Sequence, residues 1–100
     1  MKIAVTSQNF KTITGHAGKT RRFIIFDKDQ DGKIEMDKKL DLSKEMSFHE
    51  FQGNEHPVDE VDILITASCG NGFIQKMSRR GIKVITTDET NILTAVQSIK

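Results

Sequence analysis

A strand–helix–strand pattern in the second half of the chain constrains the fold more than any other feature. Residues 62–66 (Asp-Ile-Leu-Ile-Thr) form an apolar run typical of a strand that is covered on both faces of a sheet. A glycine-containing turn follows, and then a predicted helix that ends near Arg80, with Gly81 at its C-cap. Residues 82–85 (Ile-Lys-Val-Ile) predict the next strand. Two strands joined in this way lie parallel in one sheet, with a right-handed crossover.

The first half of the chain predicts strands that pair antiparallel. Residues 2–6 alternate and are rich in β-branched side chains, which favours a first strand. Residues 23–26 and 33–36 predict a second and a third strand, because the Asp-Gly pair between them is a strong hairpin signal. An antiparallel hairpin and a parallel strand pair are both accommodated by a mixed sheet.

The remaining segments are harder to interpret. Residues 37–57 are charged and contain two histidines, and they are compatible with a short helix around residues 43–51 or with a long mobile loop. Residues 58–61 predict a helical turn. Residues 86–89 (Thr-Thr-Asp-Glu) offer N-cap chemistry for a last helix. Apolar faces are predicted for the two helices at Phe73, Ile74 and Met77, and at Ile92, Leu93, Val96 and Ile99.

These elements predict a single α/β domain over residues 1–100. The expected architecture is a mixed five-stranded sheet with helices on its faces, in three layers.

Composition narrows the range of functions. The net charge is +1 and the chain has no Trp or Tyr, which argues against a nucleic-acid-binding surface. No segment approaches the about 20 apolar residues that a membrane helix requires, so no membrane partner is expected. The single cysteine, Cys69, cannot form an internal disulfide. A reducing, cytoplasmic location is the simplest expectation.

Several short segments follow one another in a characteristic order along nearly the whole chain. They are residues 1–5 (Met-Lys-Ile-Ala-Val), the loop 16–18 leading to Phe23, the Asp-Gly hairpin, residues 61–65 before a glycine-rich turn, and residues 80–84 (Arg-Gly-Ile-Lys-Val). In this order and spacing they resemble the dinitrogenase iron-molybdenum cofactor biosynthesis family, which includes small NifX-type carriers and the C-terminal domain of NifB-type proteins. Cys69 departs from the pattern, because an aliphatic residue or glycine is usual there.

The resemblance implies a ribonuclease-H-like fold and non-catalytic binding of an iron-sulfur or iron-molybdenum cluster. The expected role is that of a carrier or chaperone that exchanges a cluster with donor and acceptor proteins, as a monomer or a weak homodimer. Two other functions stay open: a metal-free interaction module, marked by an exposed apolar patch within residues 37–57, and, less favoured, a metal-dependent hydrolase with clustered carboxylates.

The turn after the fourth predicted strand is the first candidate ligand site. It runs from Ser68 through Cys69, Gly70 and Asn71 to Gly72 and leads into a helix N-terminus, where unpaired amide groups and the helix dipole favour an anion. The same position is expected to lower the pKa of the thiol and so to favour the thiolate that binds metal. In the alternative interpretation the glycines only permit a tight turn, and Cys69 is a packing residue.

The loop after the first strand is the second candidate. It is about a dozen residues long and contains His16 and Gly18, followed by Arg21. If the first and fourth strands are parallel, their carboxyl ends bring His16 close to Cys69, and imidazole and thiolate together suit iron. Arg21 is a candidate partner for an anionic ligand. The alternatives are a solvated loop histidine and a solvated edge-strand arginine.

Two further motifs are weaker candidates for a metal site. His49 and His56 match no zinc motif, and surface or mobile-loop positions are favoured over a role in closing over a ligand. Residues 27–32 copy half of an EF-hand loop, but Lys38 replaces the bidentate glutamate, so a hairpin is expected and not a calcium site.

Overall fold

The computed structural model describes residues 1–99 as one mixed sheet with two helices. The strands are β1 (Lys2–Thr6), β2 (Arg22–Lys28), β3 (Ile34–Asp41), β4 (Ile63–Thr66) and β5 (Lys83–Thr86), and the helices are α1 (Asn71–Arg79) and α2 (Ile92–Gln97). Single 3₁₀ turns lie at Ala17–Lys19, Lys44–Met46 and Pro57–Glu60.

The sheet order is β3-β2-β1-β4-β5. β1 pairs antiparallel with β2 and parallel with β4, β2 pairs antiparallel with β3, and β4 pairs parallel with β5. The predicted mixed five-stranded α/β sheet is therefore confirmed. The finer ribonuclease-H-like assignment stays a prediction.

Alternation along the central strands divides the core into two clusters on opposite faces of the sheet. Ala4 on β1 and Leu64 on β4 belong to the cluster that packs against α1, which contributes Phe73 and Met77. The residues immediately before and after Ala4 and Leu64 along each strand point to the opposite face, toward the cluster that contains the buried face of α2. Each helix therefore covers one face, which gives three layers.

The hairpin between β2 and β3 forms as predicted. The Asp29 carboxylate accepts hydrogen bonds from the backbone N–H groups of Asp31 and Lys33, at 3.0 and 2.8 Å. Gly32 adopts φ +87°, a conformation that favours glycine. The Asp29 side chain of the apparent EF-hand motif thus serves the turn, in agreement with the hairpin interpretation.

Several expectations about local structure are wrong. β3 extends to Asp41 because its charged residues occupy a solvent-exposed edge strand, where apolar periodicity is weak. Of the two alternatives for residues 43–51, the short helix is wrong, because the segment contains only the 3₁₀ turn Lys44–Met46. The N-cap of α2 is Asn91, whose side chain accepts from Thr94 N–H at 2.9 Å, and does not lie within residues 86–89. Ile74 and Leu93 are exposed and do not join the buried faces of their helices.

No helix within residues 1–99 is long and apolar enough to cross a membrane.

Candidate functional site

Two buried threonines fix the loop between β1 and β2 across the ends of the parallel strands. Thr6 ends β1 and Thr66 ends β4, and their hydroxyl groups lie 2.8 Å apart. Both hydroxyls also donate to the carbonyl oxygen of Thr14, at 2.6 and 3.2 Å. Ala67 N–H donates to the same carbonyl at 3.1 Å. The loop is thereby held at the carboxyl ends of β1 and β4, where the parallel pairing was expected to bring it.

The turn after β4 binds the loop directly. His16 N–H donates to Ser68 Oγ at 3.0 Å, and Ala17 N–H donates to the Ser68 carbonyl at 3.2 Å. His16 adopts the left-handed conformation, with φ 54° and ψ 51°, which costs a non-glycine residue about 1–2 kcal/mol. One hydrogen bond from His16 and one from Ala17 to the neighbouring turn hold this strained conformation, and strained residues of this kind are common in ligand sites.

One cavity of about 390 Å³ lies between the loop and the turn, and we call it the His16–Cys69 cavity. Its lining includes three residues of types that can bind metals: His16, His49 and Cys69. The remaining lining residues are Ala17, Gly18, Lys19, Ser68, Gly70 and Phe73. The structure thus brings His16, Gly18, Cys69 and Gly70 to one place, as the sequence predicts. Asn71 and Gly72 begin α1 directly behind them.

The Cys69 thiol does not have the expected acidity. The position before a helix N-terminus predicted a lowered pKa, but burial raises the pKa of the Cys69 thiol. Cys69 is half-buried and packs against the apolar cluster on the α1 face. Loss of water around the sulfur disfavours the thiolate, so a metal bound there has to displace a proton.

The glycines of the turn leave the start of α1 open. Gly70 has φ −89°, which any residue adopts, so the tight-turn interpretation does not explain this glycine. A Cβ atom at Gly70 or Gly72 would meet no atom of residues 1–99 within 4 Å. Within residues 1–99, no side-chain hydrogen bond caps α1 at Gly70, so the amide groups of its first turn lack the partner that a capping side chain would supply.

Arg21 lies outside the His16–Cys69 cavity. It lines a neighbouring cavity of about 500 Å³ together with Lys19, Lys44 and His49. Arg22, the next residue, forms an ion pair with Asp41 at 3.3 Å. Arg21 itself precedes β2, which begins at Arg22. Arg21 adds positive charge beside the cavity.

The two remaining histidines have opposite environments. His49 is exposed. Its backbone N–H donates to the Gly18 carbonyl at 2.7 Å, which brings residue 49 to the cavity wall. His56 is only 5% exposed, and the expected surface or mobile-loop position is wrong for it. Its Nδ1 accepts from Val58 N–H at 3.1 Å, and its Nε2 lies 2.6 Å from the Met46 carbonyl. Burial lowers the pKa of His56.

The sequence profile of a family described as dinitrogenase iron-molybdenum cofactor matches residues 1–100. The chain belongs to the dinitrogenase iron-molybdenum cofactor family. Membership associates the chain with the biosynthesis of that cofactor. The resemblance to this family that the short sequence segments indicated is therefore confirmed. No curated protein sequence matches the chain.

Two solved structures have the same fold. The NMR structure of a candidate NifB protein from Thermotoga, assigned to the DUF35 family, covers 97% of this chain and 84% of its own, with 17% identity and a TM-score of 0.59. The crystal structure of the protein PH0822 covers 98% of this chain and 87% of its own, with 17% identity and a TM-score of 0.68. At this identity the similarity concerns the fold alone.

Sequence reasoning placed Ser68 in the candidate turn but missed the contacts that hold the site together. Ser68 and Thr14 make the hydrogen bonds between loop and turn, and His49 reaches the cavity from a distant segment. A signal for Ser68 and Thr14 was present, since polar residues follow both parallel strands at the edge where ligands usually bind. No comparable signal placed His49.

Proposed function

We propose that this family member is a non-catalytic carrier that holds an iron-sulfur or iron-molybdenum cluster as cargo in the His16–Cys69 cavity. The observation that carries the proposal is the direct hydrogen bonding between the His16 loop and the Ser68 turn. These bonds join two separate segments around one cavity, and each segment contributes one residue with a metal-binding side chain to its lining, His16 and Cys69.

The chemistry of the lining supports such cargo. Thiolate sulfur and imidazole nitrogen are suitable ligands for iron. The uncapped N-terminus of α1 and the open glycine backbone favour an anionic group, which many metal-sulfur clusters are. Arg21 and Lys19 add positive charge nearby.

The same lining favours release. Within residues 1–99, no three His, Cys, Asp or Glu side chains converge closely enough to hold a metal ion. A cluster held by one or two protein ligands keeps its remaining positions available to donor and acceptor proteins. Because burial raises the pKa of the Cys69 thiol, protons compete with the metal, and binding weakens as pH falls.

The alternatives gain less support. A metal-dependent hydrolase needs converging carboxylates, and the described lining of the His16–Cys69 cavity contains no Asp or Glu. An interaction module was expected to show an exposed apolar patch within residues 37–57. The large apolar residues that are exposed in the described chain are Met1, Met36, Ile74 and Leu93, all outside that segment.

Anaerobic reconstitution with iron, sulfide and molybdate or thiomolybdate tests the proposal. Metal content and visible absorption are measured for the wild type, Cys69→Ala and His16→Gly. Glycine adopts the left-handed conformation without strain, so His16→Gly removes the imidazole and leaves the backbone unstrained. We expect metal uptake by the wild type, loss in both variants, and weaker uptake at about pH 6 than at about pH 8.

Gln75→Ala is the matched control, since Gln75 is an exposed residue of α1 that does not line the cavity. It should bind metal like the wild type. Failure of the folded wild-type protein to take up metal, or equal uptake by all variants, would overturn the proposal.

A further inference from the structure

The face of the sheet that carries α2 is only partly covered. α2 is one short helix of six residues, and a helix with its side chains is about 10 Å in diameter, whereas five strands span about 19 Å. Beyond α2, an open groove of about 440 Å³ runs between this helix and the edge strand β3. We call it the β3–α2 groove. On the opposite face, by contrast, Phe48, Leu40 and Leu42 belong to the core cluster or pack against it.

The floor of the groove is apolar. It contains Ile24, Phe26, Ile34, Met36, Ile92 and Leu93. Met36 is 56% exposed and Leu93 is 52% exposed, the two highest values among the exposed large apolar residues of the described chain. Both are therefore available to a partner without any rearrangement of the core.

The rim of the groove is basic. Its charged lining residues are Lys11 and Lys39, and no acidic residue of the described chain lines it. Neither lysine forms an ion pair within residues 1–99. The acidic residues of β3 already have partners, since Glu35 pairs with Lys33, Asp37 with Lys2 and Asp41 with Arg22. The positive rim is therefore uncompensated, although the chain as a whole carries a net charge of only +1.

Phe10 stabilises this arrangement. Its backbone adopts φ 58°, and its ring lies 5.2 Å from the Arg22 guanidinium carbon and 5.4 Å from Lys39 Nζ. These distances are within the range of cation–π attraction. The ring thus holds positive charge at the edge of an apolar surface.

The exposed edge of β3 is poorly suited to pairing with an additional strand. Ile25 pairs with Lys38 and Phe26 with Met36, so Asp37 is an extra residue in a bulge. Bulges and charged side chains on an edge strand discourage strand addition. A helix that lies on the apolar floor avoids this edge.

We propose that the β3–α2 groove binds an amphipathic helix of a partner protein, with apolar residues on the inner face of that helix and acidic residues along its flanks. Such a helix would extend the layer that α2 begins, with its apolar face in the groove. Its carboxylates would pair with Lys11 and Lys39. This inference is independent of the proposed cargo site.

Fluorescence anisotropy with two synthetic helical peptides tests the inference on the full chain. Both peptides carry the same leucine stripe, one with glutamate flanks and the other with lysine flanks. We expect the acidic peptide to bind about tenfold more tightly, because two lysines attract one peptide and repel the other. Added salt should reduce this preference.

Two sets of variants locate the binding. Leu93→Ser and Met36→Ser change exposed residues and should weaken binding of the acidic peptide while circular dichroism shows an unchanged fold. The Lys11→Glu, Lys39→Glu double variant should reverse the preference. Ile74→Ser, an exposed apolar residue of α1 outside the groove, is the control and should bind normally.

Several results would overturn the inference. They are equal binding of both peptides, no binding of the acidic peptide at about 1 mM, and retention of affinity in Leu93→Ser and Met36→Ser. Concentration-dependent dimerisation that Leu93→Ser abolishes would assign the groove to a second copy of this chain instead.

Discussion

Two regions on the same side of the sheet contain histidine beside phenylalanine, and they differ in what their polar groups do. Around His56, every polar group has a partner: both ring nitrogens are hydrogen-bonded, and the Asp59 carboxylate binds Arg80 at 2.6 Å and His56 N–H at 2.8 Å. In the His16–Cys69 cavity the backbone is bonded, but the side chains of His16 and His49 are exposed.

The difference shows how one small domain separates stability from binding. The ring of His56 stacks on Phe48 at 4.1 Å, and Phe48 meets Phe73 edge-on at 5.8 Å. Phe73 in turn lines the cavity. An aromatic cluster whose polar neighbours are already hydrogen-bonded therefore supports the wall of the cavity. The His16 and His49 side chains of that cavity are left available to a ligand.

The largest effect should come from Phe48→Ala. Phe48 is almost fully buried and contacts Phe23, His56 and Phe73. Removal of a buried phenylalanine ring lowers the free energy of unfolding by about 3–5 kcal/mol. Urea unfolding measures this loss.

Phe51→Ala is the matched control. Phe51 touches the same His56 ring edge-on at 4.9 Å, but it is only half-buried. Its loss should be clearly smaller. Equal losses in the two variants would mean that Phe48 is not the centre of the cluster.

The next effect is a pH dependence of stability that arises from His56. Burial lowers the pKa of His56, so the unfolded chain binds this proton more readily than the folded one. The stabilising contribution is complete above the unfolded pKa of about 6.5. It is lost as pH falls below that value toward the lower pKa of the folded state.

Protonation also turns Nδ1 from an acceptor into a donor that faces Val58 N–H. The free energy of unfolding should fall by at most about 1.4 kcal/mol per pH unit from this group. Urea unfolding between about pH 7.5 and pH 5 measures the slope, which His56→Gln should flatten. The exposed His49 is the control: a slope that disappears in His49→Gln and persists in His56→Gln would contradict this assignment.

The strands, the hairpin and the parallel joining of β1 and β4 could be predicted from sequence because they follow from local periodicity and turn chemistry. The proximity of His16 and Cys69 followed from that topology. One local sequence signal could have predicted the position of His56. Pro57 and Asp59 follow His56 in the pattern of a helix N-terminus, and His56 is the N-cap.

Other features depend on tertiary contacts that no local pattern contains. Burial raises the pKa of the Cys69 thiol, and this burial comes from packing against the α1-face cluster. His49 reaches the cavity through a hydrogen bond to Gly18, a residue far away in sequence. The charged composition of β3 concealed its length because an edge strand needs little apolar surface.

The smallest effect, and the sharpest test of the separation between the two regions, should come from Gly15→Ala. A Cβ atom on Gly15 would collide with Ser68 Oγ. The hydroxyl can rotate away, but it then loses the hydrogen bond from His16 N–H, at a cost of about 1 kcal/mol. Gly18→Ala is the matched control, since a Cβ there meets only Phe73 Cδ1 at 3.9 Å within residues 1–99.

We expect Gly15→Ala to weaken metal uptake more than Gly18→Ala does, while the pH dependence that arises from His56 is the same in both. Thermal unfolding, the pH slope and anaerobic metal content are measured on the same samples. If Gly15→Ala also changed the pH slope, the cavity and the His56 cluster would form one cooperative unit. Phe48 contacts Phe73 and so connects the aromatic cluster to the cavity wall. A change confined to the cavity would instead show that the Ser68 hydrogen bonds position the ligand loop without contributing to the aromatic cluster.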